Sequence, residues 1–263
     1  MQVKAMIFVL LLTTVLALPA QAQRGGSRNM DGSGFVERLD HAITTSGLTV
    51  SFPTGFNCEQ ISSSFASPHR HDGSLRRSDR NNGLHGGMDL SLHEGTPLLA
   101  VAAGEVIAKG EGGQLEGFYI WLRHAPEDTG LSYWVFTKYQ HLSELPVMKT
   151  GQRVQAGQVI ALSGNTGTVS KHYGPAGYPH LHLNMLFGRN GTFSMKGMYQ
   201  SRVDSEDAVL DDPLILYLAP FKKLSDVRRL SAEQRKVIAP VVDESGRVHP
   251  PGSKTVWPVS CKK

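Results

Sequence analysis

The chain has 263 residues, of which 40% are hydrophobic and 19% charged, and its formal net charge is +4. A chain of this length can bury one core, with or without appendages. The positive charge is small and is spread along the sequence without a block of Lys and Arg, which argues against nucleic-acid binding. It is compatible with a polyanionic partner and equally with ordinary solubility.

The N-terminus has the pattern of a cleavable secretory signal. Lys4 precedes an apolar run over 5–18, which is followed by Pro19-Ala20-Gln21-Ala22; this is a positive start, an apolar centre and a small-residue cleavage site. The alternative is a membrane anchor, but the apolar run is shorter than the roughly 20 residues that a spanning helix needs. We therefore expect a signal peptide at 1–22, export to the periplasm or the medium, and no stable membrane anchor after processing.

The hydrophobic pattern after the signal predicts a mainly β protein. Residues 23–34 are rich in Gly, Ser and Arg and are expected to be disordered, and apolar residues at helical spacing predict a short amphipathic helix over 35–43. From residue 48 onward, short apolar runs interrupted by glycine predict strands at 96–101, 104–108, 118–122, 133–136 and 158–162. Because no long helical period interrupts them, we expect a compact antiparallel sheet with short flanking helices.

The C-terminal part carries two further signals. Ser231-Ala232-Glu233-Gln234 resembles a capping box and predicts a short helix, and the proline-rich tail to Lys263 is expected to be irregular. Cys58 and Cys261 are the two cysteines. Their side chains are either two free thiols or, in an oxidising compartment, a disulfide that links the tail to the start of the core. We favour the disulfide, which would stabilise the fold by roughly 4–5 kcal/mol.

Two histidines in one short run indicate a strand with distinct faces. His180 and His182 alternate with Leu181 and Leu183. Since successive side chains of a strand point to opposite faces, both imidazoles should lie on one face and both leucines in the core. One such pair is weak evidence for a site, so its value depends on partners elsewhere in the chain.

Two other motifs supply those partners. His85 and Asp89 are separated by a segment containing two glycines, which predicts a loop that delivers His85 and runs into a strand near Asp89. His141 lies in Tyr139-Gln140-His141-Leu142. Taken alone, His85 could be an exposed loop histidine and Asp89 a turn residue. Together with the histidine pair, these motifs predict a catalytic zinc site, because hydrolytic zinc takes three nitrogen or oxygen ligands and an open position for water.

Several motifs in order resemble the M23 peptidases, the lysostaphin-like zinc endopeptidases of bacterial cell walls. The resemblance covers about 61–218 and rests on H-x-x-x-D at 85–89, a G-T-P run at 95–106, Y-x-H-L at 139–142, a glycine-rich run ending in G-x-T-G at 147–167, H-x-H at 180–182, and Asp212-Pro213-Leu214. It implies the lysostaphin-like peptidase fold, an antiparallel sheet with a groove.

The resemblance also implies a site and its chemistry. His85, Asp89 and His182 look like the ligands of one Zn²⁺ per chain. His141 and His180 look like the pair that lines the catalytic water and the scissile peptide. Zinc would lower the pKa of its water and polarise the carbonyl, one histidine would act as general base, and the other would stabilise the oxyanion. Which histidine has which role stays open at this stage.

The resulting hypothesis is a secreted zinc metalloendopeptidase that hydrolyses peptide bonds in peptidoglycan, in cross-links or stem peptides. The expected domains are a signal peptide at 1–22, a flexible segment with a short helix at 23–60, a peptidase domain at 61–218 and an extension at 219–263. One alternative is a catalytically inactive relative that binds cell wall or activates a separate amidase. Another is a nonspecific secreted protease. All five key positions are filled, which favours an enzyme.

The sequence departs from the family pattern near the groove. Residues 168–179 are an insertion before H-x-H, the loop at 125–132 is long, and Leu183-Asn184 stands where the family usually has an aromatic-acidic pair. These changes are expected to reshape the substrate groove. Among the other histidines, we expect His124 to be structural, and His69 and His71 to fit a solvated loop better than a metal site.

Overall fold

A computed structural model of the protein describes residues 43–78, 81–113, 115–168, 179–218, 221 and 223–263. The predicted signal peptide at 1–22 and disordered segment at 23–34 lie outside these ranges, as does the predicted helix at 35–43 except for its last residue. Most of the insertion at 168–179 is also outside them. In the described part of the chain, no helix has the length and apolar character needed to cross a bilayer.

Within the described residues, sixteen short strands dominate the fold. They are β1 (Thr49–Ser51), β2 (Ile61–Ser63), β3 (Met88–Ser91), β4 (Pro97–Leu99), β5 (Gly104–Glu111), β6 (Phe118–His124), β7 (Trp134–Leu142), β8 (Arg153–Val154), β9 (Val159–Leu162), β10 (His180–Gly188), β11 (Ser194–Lys196), β12 (Arg202–Asp204), β13 (Val209–Asp211), β14 (Lys236–Ile238), β15 (Val241–Val242) and β16 (Val248–His249). Helical residues form 3₁₀ turns at Asn81–Gly83 and Pro213–Tyr217 and one-turn α-helices at Pro126–Thr129 and Leu224–Val227. The prediction of a mainly β protein with short flanking helices is confirmed.

One eight-stranded antiparallel sheet organises the molecule. Its strands run in the order β2-β3-β10-β7-β6-β5-β8, and β13 also pairs with β10. Strand β10 is therefore central, with β3 and β7 on its two sides. Its register places His182 opposite Asp89 on one side and opposite Gln140 on the other, so motifs that are far apart in sequence become neighbours.

Alternation along β10 separates a core face from a polar face. Leu181, Leu183, Met185 and Phe187 are fully buried on the core face. They pack in one cluster with side chains of β3, β6 and β7, with β9, and with the C-terminal tail. His180, His182 and Asn184 lie on the opposite face, as the period of two requires.

A hairpin covers part of the polar face. Strands β11 and β12 pair with each other, and the Tyr119 hydroxyl donates to the Tyr199 carbonyl at 3.1 Å. The Trp121 indole N–H donates to the Ser201 carbonyl at 3.0 Å. A second apolar cluster, which includes Ile107, Tyr119, Trp121 and Phe136, lies beneath this hairpin.

Described residues on both sides of 61–218 pack against the same core. Cys58 and Cys261 form a disulfide, as favoured from the sequence, and Trp257 is fully buried. The expectation of an irregular tail is wrong in part, because β15 and β16 form a hairpin there.

The predicted helix after Ser231 is also wrong. The capping interactions do form, since the Ser231 N–H donates to the Gln234 side chain at 3.0 Å and the Gln234 N–H donates to the Ser231 hydroxyl at 3.4 Å. They close only a turn, and Lys236–Ile238 then pairs in parallel with β1. Long-range strand pairing therefore overrides a local helix signal.

Candidate metal centre

Three side chains from distant parts of the chain converge on the polar face of the sheet. The Nε2 atom of His85 lies 3.0 Å from Nδ1 of His182 and 3.1 Å from Oδ1 of Asp89. The Nδ1 atom of His182 lies 2.7 Å from the same carboxylate oxygen. All three residues are largely removed from solvent, and their donor atoms form a closed triangle.

This triangle fits a small divalent ion. A tetrahedral zinc ion with bonds of 2.0–2.1 Å holds its ligand atoms roughly 3.3 Å apart, and the three observed separations are slightly shorter than that. Two imidazole nitrogens and one carboxylate oxygen also match the ligand types that zinc prefers in hydrolytic sites. Among the described residues, His85, Asp89 and His182 form the group that can hold a metal ion, and His69 and His71 are not part of it.

Local backbone structure explains how the ligands meet. His85 ends a loop, Asp89 is the second residue of β3, and His182 is directly opposite Asp89 in β10. Gly87 lies between the strands with no room for a side chain. A Cβ atom at this position would be 2.5 Å from the Leu183 carbonyl oxygen and 2.9 Å from Nε2 of His182. A glycine is therefore required for the close approach of the His85 loop to β10.

Surrounding groups orient the ligands. The Ser64 carbonyl oxygen lies 2.9 Å from Nδ1 of His85, and because a carbonyl only accepts, this nitrogen carries the proton and Nε2 is free to bind a metal. Such a second partner is usual for metal-binding histidines. The Arg76 guanidinium lies 3.5 Å from Oδ2 of Asp89, the oxygen that does not face the histidines. Because Arg76 is beside Oδ2, Oδ1 is the oxygen of Asp89 that is directed at the metal position.

An amide pair supports the loop between the ligands. The Asn184 amide donates to the Gly86 carbonyl at 2.8 Å and accepts from the Gln140 amide at 2.8 Å. Sequence reasoning noted Asn184 only as a departure from the usual acidic residue. A carboxylate at this position has no N–H to donate to Gly86, so the amide is matched to the loop conformation of this chain.

The electrostatics of Asp89 and His182 suit a cation. Burial raises the pKa of Asp89, but the charges and hydrogen bonds of His85 and His182 together hold it well below its ordinary value. Burial lowers the pKa of His182 to about 4, against the opposing effect of Asp89. At neutral pH the site therefore presents an ionised carboxylate and a neutral imidazole, which are the protonation states that metal binding requires.

His141 and His180 stand beside this triangle. Their ring centroids are 4.6 Å apart, and the ring of His141 is 5.9 Å from that of His182. Burial lowers the pKa of His141 well below its ordinary value, with smaller contributions from the two neighbouring histidines. The Thr166 carbonyl lies 2.9 Å from Nδ1 of His141, so Nδ1 carries the proton. The neutral ring then has an unprotonated Nε2 that can accept one.

His124, predicted to be structural, is a buried core histidine. Its Nδ1 lies 2.7 Å from the Ala103 carbonyl oxygen, and its Nε2 lies 2.9 Å from the Thr137 hydroxyl. Both nitrogens thus have partners inside the fold and away from the donor triangle. Sequence reasoning did not single out Ser64, Arg76 or Thr166, although the G-x-T-G motif that contains Thr166 was a visible signal.

A comparison with known families shows what the region around the site is similar to. Residues 83–193 match the sequence model of peptidase family M23, and the matched region contains the donor triangle together with His141 and His180. Residues 83–193 are therefore similar to peptidase family M23.

Individual relatives match the M23 region over part of their length. An uncharacterized metalloprotease of Haemophilus influenzae is 42% identical over 100 residues, which are 37% of this chain and 18% of the relative. The peptidoglycan DD-endopeptidase ShyC of Vibrio cholerae is 37% identical over 102 residues, which are 39% of this chain and 20% of the relative. The chain therefore spans about a fifth of the length of these two curated relatives. Among solved structures, the catalytic domain of lysostaphin from Staphylococcus simulans is 25% identical with a TM-score of 0.40, covering 60% of this chain and 92% of that one.

Proposed function

We propose that this protein is a member of peptidase family M23 and a zinc endopeptidase that hydrolyses peptide bonds in peptidoglycan. The observation that carries the proposal is the triangle of His85, Asp89 and His182 donor atoms, with separations of 2.7–3.1 Å, next to two further histidines on one sheet face. Relatives named as peptidoglycan DD-endopeptidases support the choice of substrate. The same ligand types also suit ferrous iron, and the hydrolytic family favours zinc.

In this proposal the ligand triangle holds the metal through Nε2 of His85, Oδ1 of Asp89 and Nδ1 of His182. A bound zinc ion supplies an activated water and polarises the scissile carbonyl. The Ser64 carbonyl accepts from Nδ1 of His85, and Arg76 lies beside Oδ2 of Asp89, which directs Nε2 of His85 and Oδ1 of Asp89 toward the metal position. The buried setting limits competing water and strengthens every electrostatic interaction within the site.

The two remaining histidines divide the proton chemistry. His141 has its proton on Nδ1, held by the Thr166 carbonyl, so its Nε2 is the proton acceptor and we assign it the role of general base. His180 lies against His141 on the same face and is assigned the stabilisation of the developing oxyanion. The resemblance alone left this division open, and the hydrogen bond to Thr166 is the observation that favours it.

We further propose that the protein acts outside the cytoplasm. The Cys58–Cys261 disulfide supports this, because structural disulfides persist in oxidising compartments and are rare in the cytosol of mesophiles. Peptidoglycan is reached in the same compartments. We place the peptidase unit at 61–218, with the described residues of both flanking segments packed on its core.

The deciding experiment measures fragments released from purified peptidoglycan, with and without a chelator, and identifies the broken bond by mass spectrometry. His182→Ala should lose zinc and activity together. His141→Ala and His180→Ala should keep zinc but lose about 10²-fold or more in turnover. The exposed His93→Ala substitution is the matched control and should behave as the wild type. Wall binding without release of fragments by the zinc-loaded protein would favour the inactive-relative alternative.

A further inference from the structure

We propose that Thr166 is a positioning residue that holds His141 in a backbone conformation and a tautomer suited to proton transfer. This inference rests on the role proposed for His141 above. Thr166 belongs to the Gly164-Asn165-Thr166-Gly167 turn, a motif whose purpose the ligand set does not explain. Its side chain and its carbonyl oxygen make three separate hydrogen bonds around His141.

The backbone of His141 is in an unfavourable region. Its φ is +62°, a left-handed conformation that non-glycine residues adopt rarely and at an energetic cost. His141 is also the extra residue of a β-bulge, because Gln140 pairs with Tyr119 and Leu142 pairs with Phe118. A bulge redirects a side chain out of the regular alternation of a strand. Such a conformation persists only where surrounding contacts determine it.

The Thr166 hydroxyl supplies contacts on both sides of the bulge. It donates to the Leu142 carbonyl at 2.6 Å and accepts from the Phe118 N–H at 3.0 Å. These groups belong to the paired strands β7 and β6, immediately beyond the extra residue. One hydroxyl thus joins the two strands at the position where their ladder is interrupted.

The Thr166 carbonyl acts on the His141 ring itself. It lies 2.9 Å from Nδ1 of His141, and as a carbonyl can only accept, it selects the tautomer with the proton on Nδ1. A neutral imidazole in this tautomer has its acceptor at Nε2. The same residue therefore determines both where the ring is placed and which nitrogen is free.

Two glycines keep the turn in direct contact with the bulge. A Cβ atom at Gly117 would lie 2.2 Å from the Thr166 carbonyl oxygen, and a Cβ atom at Gly167 would lie 2.0 Å from the Gly117 nitrogen. Both glycines also have positive φ values. The turn is packed backbone against backbone, so the Thr166 carbonyl has little freedom to move away from His141.

The test compares Thr166→Val, which removes the hydroxyl and nearly preserves shape, with Thr166→Ser, which retains the hydroxyl. Both variants are first checked for thermal melting and zinc content. We expect Thr166→Val to retain zinc and to lose about 10²-fold in kcat with little change in KM, because displacement of a reacting group by about 1 Å has an effect of that size. Thr166→Ser should recover to within a few-fold of the wild type.

A matched control and a spectroscopic readout separate positioning from general stability. Thr96 also makes a turn hydrogen bond through its hydroxyl, to the His93 carbonyl at 2.7 Å, and Thr96→Val should leave kcat unchanged. In the zinc-loaded wild type, ¹⁵N-edited NMR should show a slowly exchanging Nδ1–H on His141, assigned by its absence in His141→Gln. This signal should be lost or shifted in Thr166→Val and restored in Thr166→Ser.

Two results would overturn the proposal. One is a folded Thr166→Val variant with wild-type kcat and an unchanged His141 signal. The other is a wild-type protein whose His141 carries its proton on Nε2, which decides the matter even if the valine variant does not fold. The NMR measurement needs no substrate. If the wild type does not cleave peptidoglycan, the proposed function fails while the positioning of His141 is still tested.

Discussion

His124 is a buried histidine whose protonation should control the acid stability of the fold. It ends β6, it has no exposed surface, and both ring nitrogens have partners. The Ala103 carbonyl accepts from Nδ1 at 2.7 Å, so Nε2 accepts from the Thr137 hydroxyl at 2.9 Å. Burial lowers the pKa of His124 from 6.5 to about 4. The ring is therefore neutral in the folded protein at neutral pH.

The sign of the effect follows from where the proton binds. Between pH 4 and pH 6.5 the unfolded chain binds a proton at His124 that the folded chain excludes, so acid favours unfolding. The stabilisation is fully present above 6.5, the pKa of His124 in the unfolded chain. It is lost as the pH falls toward about 4, the pKa of His124 in the folded protein. From these two pKa values, the loss is about 2 kcal/mol between pH 7 and pH 5, and about 3 kcal/mol by pH 4.

Urea denaturation between about pH 7 and pH 5 measures this contribution. His124→Gln removes the titration and can still donate to Ala103 and accept from Thr137. Over this pH range, the free energy of unfolding of the wild type should fall by about 2 kcal/mol more than that of His124→Gln. The exposed His93→Gln substitution makes the same chemical change outside the core and should retain the wild-type slope. Equal losses in His124→Gln and the wild type would refute the reasoning, whatever the absolute stabilities are.

Two further predictions concern the metal loop and the tail. Asn184→Asp keeps the side-chain shape but cannot donate to the Gly86 carbonyl, so zinc affinity should fall by about 10-fold to 100-fold. Competition with a chelator measures the zinc affinity, and an unchanged affinity would contradict the prediction. Replacing Cys58 and Cys261 together by Ser removes a cross-link between residues 203 positions apart. The free energy of unfolding of this double variant, measured by urea denaturation, should be about 5 kcal/mol lower than that of the wild type. Its zinc content, measured by metal analysis, should be unchanged. A double variant as stable as the wild type would argue against the disulfide.

Much of the central sheet could be predicted from local sequence. The apolar runs at 104–108 and 118–122 lie within β5 and β6, and the run at 133–136 overlaps β7 except for its first residue. His180 and His182 share a face because the side-chain period of a strand is two. The grouping of His85 and Asp89 with them depended on the order of several motifs, since neither residue is distinctive by itself.

Strand pairing could not be predicted from these patterns. The Ser231 capping signal is real in its hydrogen bonds, yet Lys236–Ile238 forms a strand because β1 lies beside it. The pairing partner is more than 180 residues away in sequence, so no local propensity contains it. The same holds for the β15–β16 hairpin in a tail that its prolines suggested would be irregular.

The sequence by itself determined which residue types are available for metal binding and proton transfer, and which of them share a strand face. Only the tertiary structure decided how they are held. The left-handed backbone of His141, its tautomer and the donation from Asn184 to Gly86 all depend on contacts between strands and loops distant in the chain. Local preference opposes the first of these, because a non-glycine residue avoids positive φ unless its surroundings impose it. Those surroundings exist only once β6, β7 and the Thr166 turn have packed together.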